Sequence, residues 1–232
     1  MMDKHVTVLI PTRLASQRFP HKPLVRINGK TIIQHCFEWA SAAGYPTYVV
    51  SGDKEILHLF PNNSIYTPGP FCNGTERCGN AVKTLTTGCL DDVVINVQGD
   101  IVSGNPVALR AIVGAIRSQK ATMATILHHT TPQDYRDLNS VKAVIAQDGR
   151  VLFFTRKPVL PITEVRSHVG VYAMTRLSLS AYCAINQCSW ETAESLEQMR
   201  WLYWGYSIKA YVDNNHSYHS INVVEDIAKR GK

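Results

Sequence analysis

Apolar residues fall in short runs along this chain, and the runs alternate between two spacings. Residues 5–10 (HVTVLI) form a run closed by Pro11, the pattern of a strand buried on both faces. Residues 31–43 then carry Ile33, Cys36, Phe37 and Ala40 at helical spacing. The alternation continues with a strand at 48–51, a helix at 75–85, a buried strand at 93–98 (VVINVQ), a helix from 105 to about 117 and a strand at 122–127. The helix at 105 has a readable start. Asn105 suits the N-cap and Pro106 the first helical position, where a missing N–H costs no hydrogen bond.

Strands alternating with helices of this length specify the α/β class, with a doubly wound, mostly parallel sheet. Ligands of such sheets sit beyond the carboxyl ends of the strands. Segments 11–24 and 99–104 leave strands at that edge, so their side chains are site candidates before any motif is considered. The second half changes character. Residues 142–146, 151–155 and 169–173 read as strands close together, with Asp148-Gly149 as a hairpin turn between the first two. They predict an antiparallel insertion at about 140–176. A helix at 191–203 follows, acidic at its start (Glu191, Glu194) and basic near its end (Arg200), as the helix dipole favours. A strand at 208–212 and a helix at 223–230 close the pattern. No repeat, low-complexity tract or linker cuts the chain, so residues 1–232 read as a single domain.

Composition narrows the class further. Of 232 residues 45% are apolar and 18% charged, enough for a full core and against disorder. The longest apolar stretches, such as 93–97, are too short to span a bilayer, so no membrane partner is expected. No basic segment and long apolar run follows Met1, and the expected location is the cytoplasm. Six cysteines without a C-x-x-C pair read as reduced core residues rather than as disulfides or a zinc site. The net charge of +6 calls for an anionic partner. Its basic residues are scattered rather than striped, which fits a small phosphorylated or carboxylated ligand and not nucleic acid.

Three groups of residues could carry chemistry. Arg13, Arg18 and Lys22 lie on one loop stiffened by Pro11, Pro20 and Pro23. Guanidinium forks and an ammonium suit triphosphate oxygens, and the same spacing also reads as a solvated basic loop. The loop lacks the glycines of a P-loop or a dinucleotide fingerprint. Asp100 lies at the carboxyl end of the strand at 93–98, just past Gly99, and reads either as a Mg²⁺ ligand against phosphates or as a cap of the next loop. Asn73-Gly74-Thr75-Glu76-Arg77 offers a close backbone approach at Gly74 and the free N–H groups of a helix start.

IPTRLASQRFPHKPL (10–24), NGTER (73–77), VINVQGD (94–100), HVGVY (168–172) and ESLEQMR (194–200) occur in this order. Together they resemble the 3-deoxy-manno-octulosonate (Kdo) cytidylyltransferases, or CMP-Kdo synthetases, from about Val6 to Ile227. The resemblance implies a nucleotide-diphospho-sugar transferase-like fold, in which the insertion serves the sugar acid. It implies a cytoplasmic homodimer of lipopolysaccharide biosynthesis that uses Mg²⁺ to join CTP to a Kdo-like acid, releasing pyrophosphate. Arg13, Ser16, Arg18 and Lys22 would hold the triphosphate, and Ser51, Asn73, Gly74 and Arg77 would lie by the cytidine. Asp100 would bind the metal and, with Lys22 and Arg13, act in catalysis. Gln98, Arg156, His168, Tyr172, Glu197 and Gln198 would surround the sugar, although His168 and Tyr172 also read as core residues.

The sequence departs from the family pattern twice. The acidic residue and proline usual after VQGD are Ile101 and Val102 here, and Asn222 stands where a second metal-binding Asp is expected. An Asn carbonyl can ligate Mg²⁺ but brings no charge. Three alternatives stay open: a cytidylyltransferase for another acidic sugar, of amino-Kdo or sialic-acid type, a non-catalytic nucleotide- or sugar-binding relative and, motivated only by the charge of +6, a nucleic-acid-binding module.

Overall fold

The computed structural model describes residues 3, 5–15, 19–85, 88–119, 121–216 and 218–228. Its first half runs β1 (Val6–Pro11), β2 (Arg26–Ile27), β3 (Lys30–Thr31), α1 (Ile32–Ser41), β4 (Thr47–Ser51), α2 (Lys54–Leu57), β5 (Ser64–Tyr66), α3 (Gly74–Val82), β6 (Val93–Val97), β7 (Ile101–Ser103) and α4 (Pro106–Gln119). The second half runs β8 (Met123–His128), α5 (Pro132–Arg136), β9 (Lys142–Ile145), β10 (Val151–Thr155), β11 (Arg166–Thr175), α6 (Arg176–Ala184), α7 (Ser189–Glu194), α8 (Met199–Tyr203), β12 (Ile208–Asp213), β13 (His219–Ser220) and α9 (Glu225–Ala228).

Parallel pairing joins β5 to β4, β4 to β1 and β1 to β6. β11 then runs antiparallel between β6 and β8, and β12 lies parallel to β8. β1, β4, β6, β8 and β12 therefore all point their carboxyl ends to one edge, where β11 begins. The hairpin β9–β10 attaches to that beginning, at Arg166 and Ser167. Side chains alternate across the sheet with period 2. Val8, Ile10, Ile95 and Val97 face α1 and α4 in one core, with Ile33, Leu109 and Ile112. Leu9, Val94, Tyr172 and Met174 face the other core, with Cys78, Leu179 and Trp201 from the opposite helices. Helices cover both faces, as the doubly wound pattern requires.

Local signals explain most element ends. Thr31 closes a capping box with Gln34 at the start of α1, and Asn105 Oδ1 accepts from Val107 N ahead of α4. Gly149, at φ +80°, turns the β9–β10 hairpin. The expected helix at 191–203 is broken instead. Ser195 takes a left-handed φ of 52°, so α7 ends at Glu194 and α8 starts at Met199. The break sinks Leu196 into the core and turns Glu197 toward the sheet edge. α6, which has no counterpart in the sequence pattern, starts at Thr175, whose hydroxyl accepts from Ser178 N. The expected helix at 223–230 is seen as Glu225–Ala228, with 229 and 230 outside the described residues. Ile101 and Val102 are buried, and their strand pairs with β13.

Candidate active site

A cleft of about 1270 Å³ opens at the carboxyl edge of the sheet, lined by residues from all five motifs. Its floor is set by the ends of β1 and β6. Gly99 permits the close crossing of these two segments, since a Cβ there would stand 3.2 Å from Pro11 O and from Thr12 Cβ. Lys22 Nζ donates to Asp100 Oδ2 at 2.7 Å and to Ile221 O at 3.0 Å. Ile221 N donates back to Asp100 O, so the C-terminal segment is stitched to the end of β6. Asp213 anchors that segment from its other end, accepting from Asn105 Nδ2 and Tyr218 OH at 2.8 Å each. Burial works against the Asp213 charge, but these donors and His216 bring its carboxyl down to about 2.

Arg13 is exposed at the mouth of the cleft. Ser16 and Arg18 lie outside the described residues. Ser51 does not reach the cleft lining: it is fully buried and its hydroxyl accepts from Asp53 N. Asp53 in turn accepts from Leu14 N at 2.8 Å, so Ser51 shapes the basic loop from beneath. The start of α3 forms the next wall. Asn73 Oδ1 caps Glu76 N, and Gly74 lies against Pro11, where a Cβ would meet Cγ at 3.0 Å. Arg77 is buried and spent on Thr67, donating to its carbonyl at 2.8 Å and its hydroxyl at 3.0 Å.

Across the cleft, Glu197 links two motifs. Its Oε2 accepts from Thr75 N at 3.1 Å and its Oε1 from Gln98 Nε2 at 3.2 Å. Desolvation raises the Glu197 carboxyl, and these two donors hold the rise back. Tyr172 OH donates to Gln198 Oε1 at 3.0 Å, and burial lifts that phenol well above its usual range. His168 packs between Phe154 and Tyr172, with ring centroids 4.9 and 5.5 Å away. Desolvation, aided by His128 and Arg156, brings its imidazole down to about 3, so the ring is neutral at pH 7. Thr125 gives its one hydroxyl proton to Val171 O, so His168 Nε2, 3.1 Å from Thr125 Oγ1, must be the protonated nitrogen. Nδ1 remains as an acceptor. Arg156 brackets two loops, donating to the carbonyls of Leu138, Asn139, Glu194 and Ser195.

Asn222 lines the cleft and donates through Nδ2 to Ser220 Oγ at 3.2 Å, leaving its carbonyl oxygen as the side-chain acceptor. Asp226 accepts from Asn222 N at 2.9 Å and also lines the cleft. Sequence reasoning missed Asp226 as a cleft residue, and it missed Tyr182, Glu191 and Arg200, which tie Asn73 to the Glu197 segment. Only Arg200 had a signal, as the last residue of ESLEQMR.

Comparison with known proteins bears on this geometry. The cytidylyltransferase family model matches residues 7–209. A 3-deoxy-manno-octulosonate cytidylyltransferase of Bacteroides thetaiotaomicron is 32% identical over 225 residues, 89% of each chain. An 8-amino-3,8-dideoxy-manno-octulosonate cytidylyltransferase of Shewanella pealeana is 33% identical over 237 residues, 96% of each chain. Among solved structures, a CMP:2-keto-3-deoxy-manno-octonic acid synthetase complexed with CTP superposes with a TM-score of 0.84 at 28% identity, covering 97% of this chain and 95% of that one. With its family model matching residues 7–209 and relatives more than 30% identical aligned over 89% and 96% of its length, the chain belongs to the cytidylyltransferases.

Proposed function

We propose that this protein transfers the cytidylyl group of CTP to a Kdo-like sugar acid, giving CMP-sugar and pyrophosphate. The observation that carries the reading is Glu197: one carboxylate joins the start of α3, on the nucleotide side, to Gln98, on the sugar side. Two substrates brought to opposite sides of such a joint meet over Asp100. In the reaction the anomeric hydroxyl oxygen forms a bond to the α-phosphorus, the bond from that phosphorus to the bridging oxygen breaks, and the hydroxyl proton is lost to solvent. Alignment and charge neutralisation suffice for such a transfer, without a covalent enzyme intermediate.

Lys22 and Arg13 line the cleft, and their charges would offset that on the departing pyrophosphate. Gln98, Glu197 and the neutral His168 offer donors and acceptors for sugar hydroxyls. Gln198 supports the same reading, because its buried Nε2 has no hydrogen-bond partner among the described residues. Ser16, Arg18, Asn73, Gly74 and Tyr172 keep the roles implied by resemblance, as proposals. Ser51 acts from behind the wall, Arg77 lines it with its guanidinium held on Thr67, and Arg156 serves the sugar by holding the loops around it.

The donor set fits a divalent cation that is shared with the nucleotide. Among the described residues no group of three or more His, Cys, Asp or Glu side chains could hold a metal. Asp100 supplies one carboxylate and Asn222 one neutral oxygen, and Mg²⁺ is commonly held by one or two carboxylates plus substrate phosphates. When bound, Mg²⁺ would supply positive charge at the reacting phosphate.

The test is pyrophosphate release with CTP, Mg²⁺ and a panel of eight- and nine-carbon sugar acids. Release with Kdo supports the reading, and CTP binding without release for any acid would leave a binding protein. Preference for an 8-amino acid is a second outcome, favoured by Asp134 and Asp137 on the cleft wall, where an ammonium would meet opposite charge. We further infer a cytoplasmic homodimer serving lipopolysaccharide assembly. No helix among the described residues is long and apolar enough to cross a membrane, and Leu152 on β10 and Val159 and Leu160 in the segment after it are exposed apolar residues. Light scattering of the purified protein checks the dimer.

A further inference from the structure

Behind the cleft, one buried cation holds both of its sides. Arg200, 1% exposed, donates from Nε to Glu191 Oε2 at 2.7 Å, from Nη2 to Glu191 Oε1 at 2.9 Å and from Nη1 to Glu76 Oε1 at 2.8 Å. Glu191 Oε1 also accepts from Asn73 Nδ2 at 3.1 Å, and Glu76 Oε2 accepts from Cys72 N at 3.0 Å. The guanidinium lies 4.8 Å over the Tyr182 ring. Tyr182 OH accepts from Asn73 Nδ2 at 2.9 Å and donates to Glu197 O at 3.0 Å. Glu197 returns to Thr75 N, which closes a ring through Asn73, Tyr182, Glu197 and the first turn of α3.

A buried ion pair is weak evidence for stability, because desolvation offsets much of its attraction. What this one fixes is geometry. The start of α3 and the break between α7 and α8 share the same three side chains, so neither moves without the other. We propose that Glu191, Arg200 and Tyr182 are positioning residues that couple the nucleotide side of the cleft to the sugar side, so that filling one side pre-orders the other. The proposal rests on the functional reading above, which assigns a substrate to each side.

The experiment measures the affinity of α,β-methylene-CTP, which cannot release pyrophosphate, by calorimetry with and without saturating Kdo. Wild-type protein should bind the analogue at least about fivefold more tightly with Kdo present. Glu191→Gln removes the charge at constant shape, and Tyr182→Phe removes only the bridging hydroxyl. Each variant should bring the factor close to 1 and, in turnover, raise both KM values and lower kcat together. Tyr182→Phe keeps the ring packed, so it stands in should Glu191→Gln fail to fold. A merely structural role would lower Tm and leave the coupling factor at the wild-type value, and that result overturns the proposal. No factor above 1 in wild-type protein that does bind Kdo overturns it as well. Failure of wild-type protein to bind any sugar acid is a different result, and it refutes the functional reading and the coupling with it.

Discussion

Lys22 Nζ stands 2.7 Å from Asp100 Oδ2, and the same ammonium reaches Ile221 O at 3.0 Å. One cation thus gathers the loop after β1, the end of β6 and the segment that carries Asn222. The pair is partly open to solvent, with side-chain exposures of 18% and 19%, so its contribution to stability is about 1 kcal/mol or less. Its charge matters more to the reaction. Asp100→Asn keeps the shape and should lower pyrophosphate release by about 10²- to 10³-fold while Tm moves by a few degrees at most. Wild-type turnover in that variant would remove Asp100 from the chemistry.

The neutral side chain at 222 makes a separate prediction. Asn222→Asp should lower the Mg²⁺ concentration at half-maximal rate, because a second carboxylate attracts a hard cation. The gain has a ceiling, since Asp226 already sits 2.9 Å from the backbone nitrogen of residue 222 and like charges oppose one another. A shift on the order of three- to tenfold is expected. The measurement is a rate titration with Mg²⁺ at saturating CTP, and an unmoved midpoint takes position 222 out of the cation's surroundings.

How much of this could be seen in the sequence depends on the range of the signal. β1, β6 and α4 were legible because their patterns are local: a buried apolar run, or a cap followed by proline. Asp100 was legible because a strand end points a side chain at the ligand edge. The break at Ser195 was not, since dipole-matched charges at Glu191, Glu194 and Arg200 look like one helix. The true partners of Arg200 lie nine residues back at Glu191 and across the fold at Glu76, distances that no periodicity encodes. Ser51 was assigned by resemblance to the nucleotide, yet only the packing shows its hydroxyl turned inward to Asp53. Arg156 was expected around the sugar, and it does line the cleft, but only the packing shows four loop carbonyls accepting from its guanidinium.

Gly170 gives a test of the sugar side that removes no polar group and displaces one, Gln98. A Cβ built there would stand 2.6 Å from Gln98 Oε1 and 2.8 Å from Gln98 Cδ, so the glutamine must swing away. Its bond to Glu197 Oε1 would go with it. Because the obstruction is a flexible side chain and not backbone, Gly170→Ala should fold with a loss of about 1–2 kcal/mol at most. The KM for the sugar acid should rise about tenfold, equivalent to one lost hydrogen bond to a charged group. Unchanged sugar KM in kinetics over both substrates would separate Gln98 from the sugar.

His168 ties stability to pH in a direction that follows from its burial. Its folded-state imidazole titrates at about 3, below the ordinary 6.5 of an unfolded chain. Between those values the unfolded state binds more protons, so the contribution is complete above pH 6.5 and is lost as pH falls toward 3. At pH 5 the unfolded chain gains on the order of 2 kcal/mol from protonating this one residue. His128, also lowered by desolvation, adds in the same direction, whereas Asp213, already brought to about 2, stays ionised across this window. Urea unfolding of wild type at pH 7.5 and 5 should therefore show a loss that shrinks by about 2 kcal/mol in His168→Gln, with a residual slope from His128. An equal loss in both proteins would mean that His168 is protonated as readily in the fold as in water.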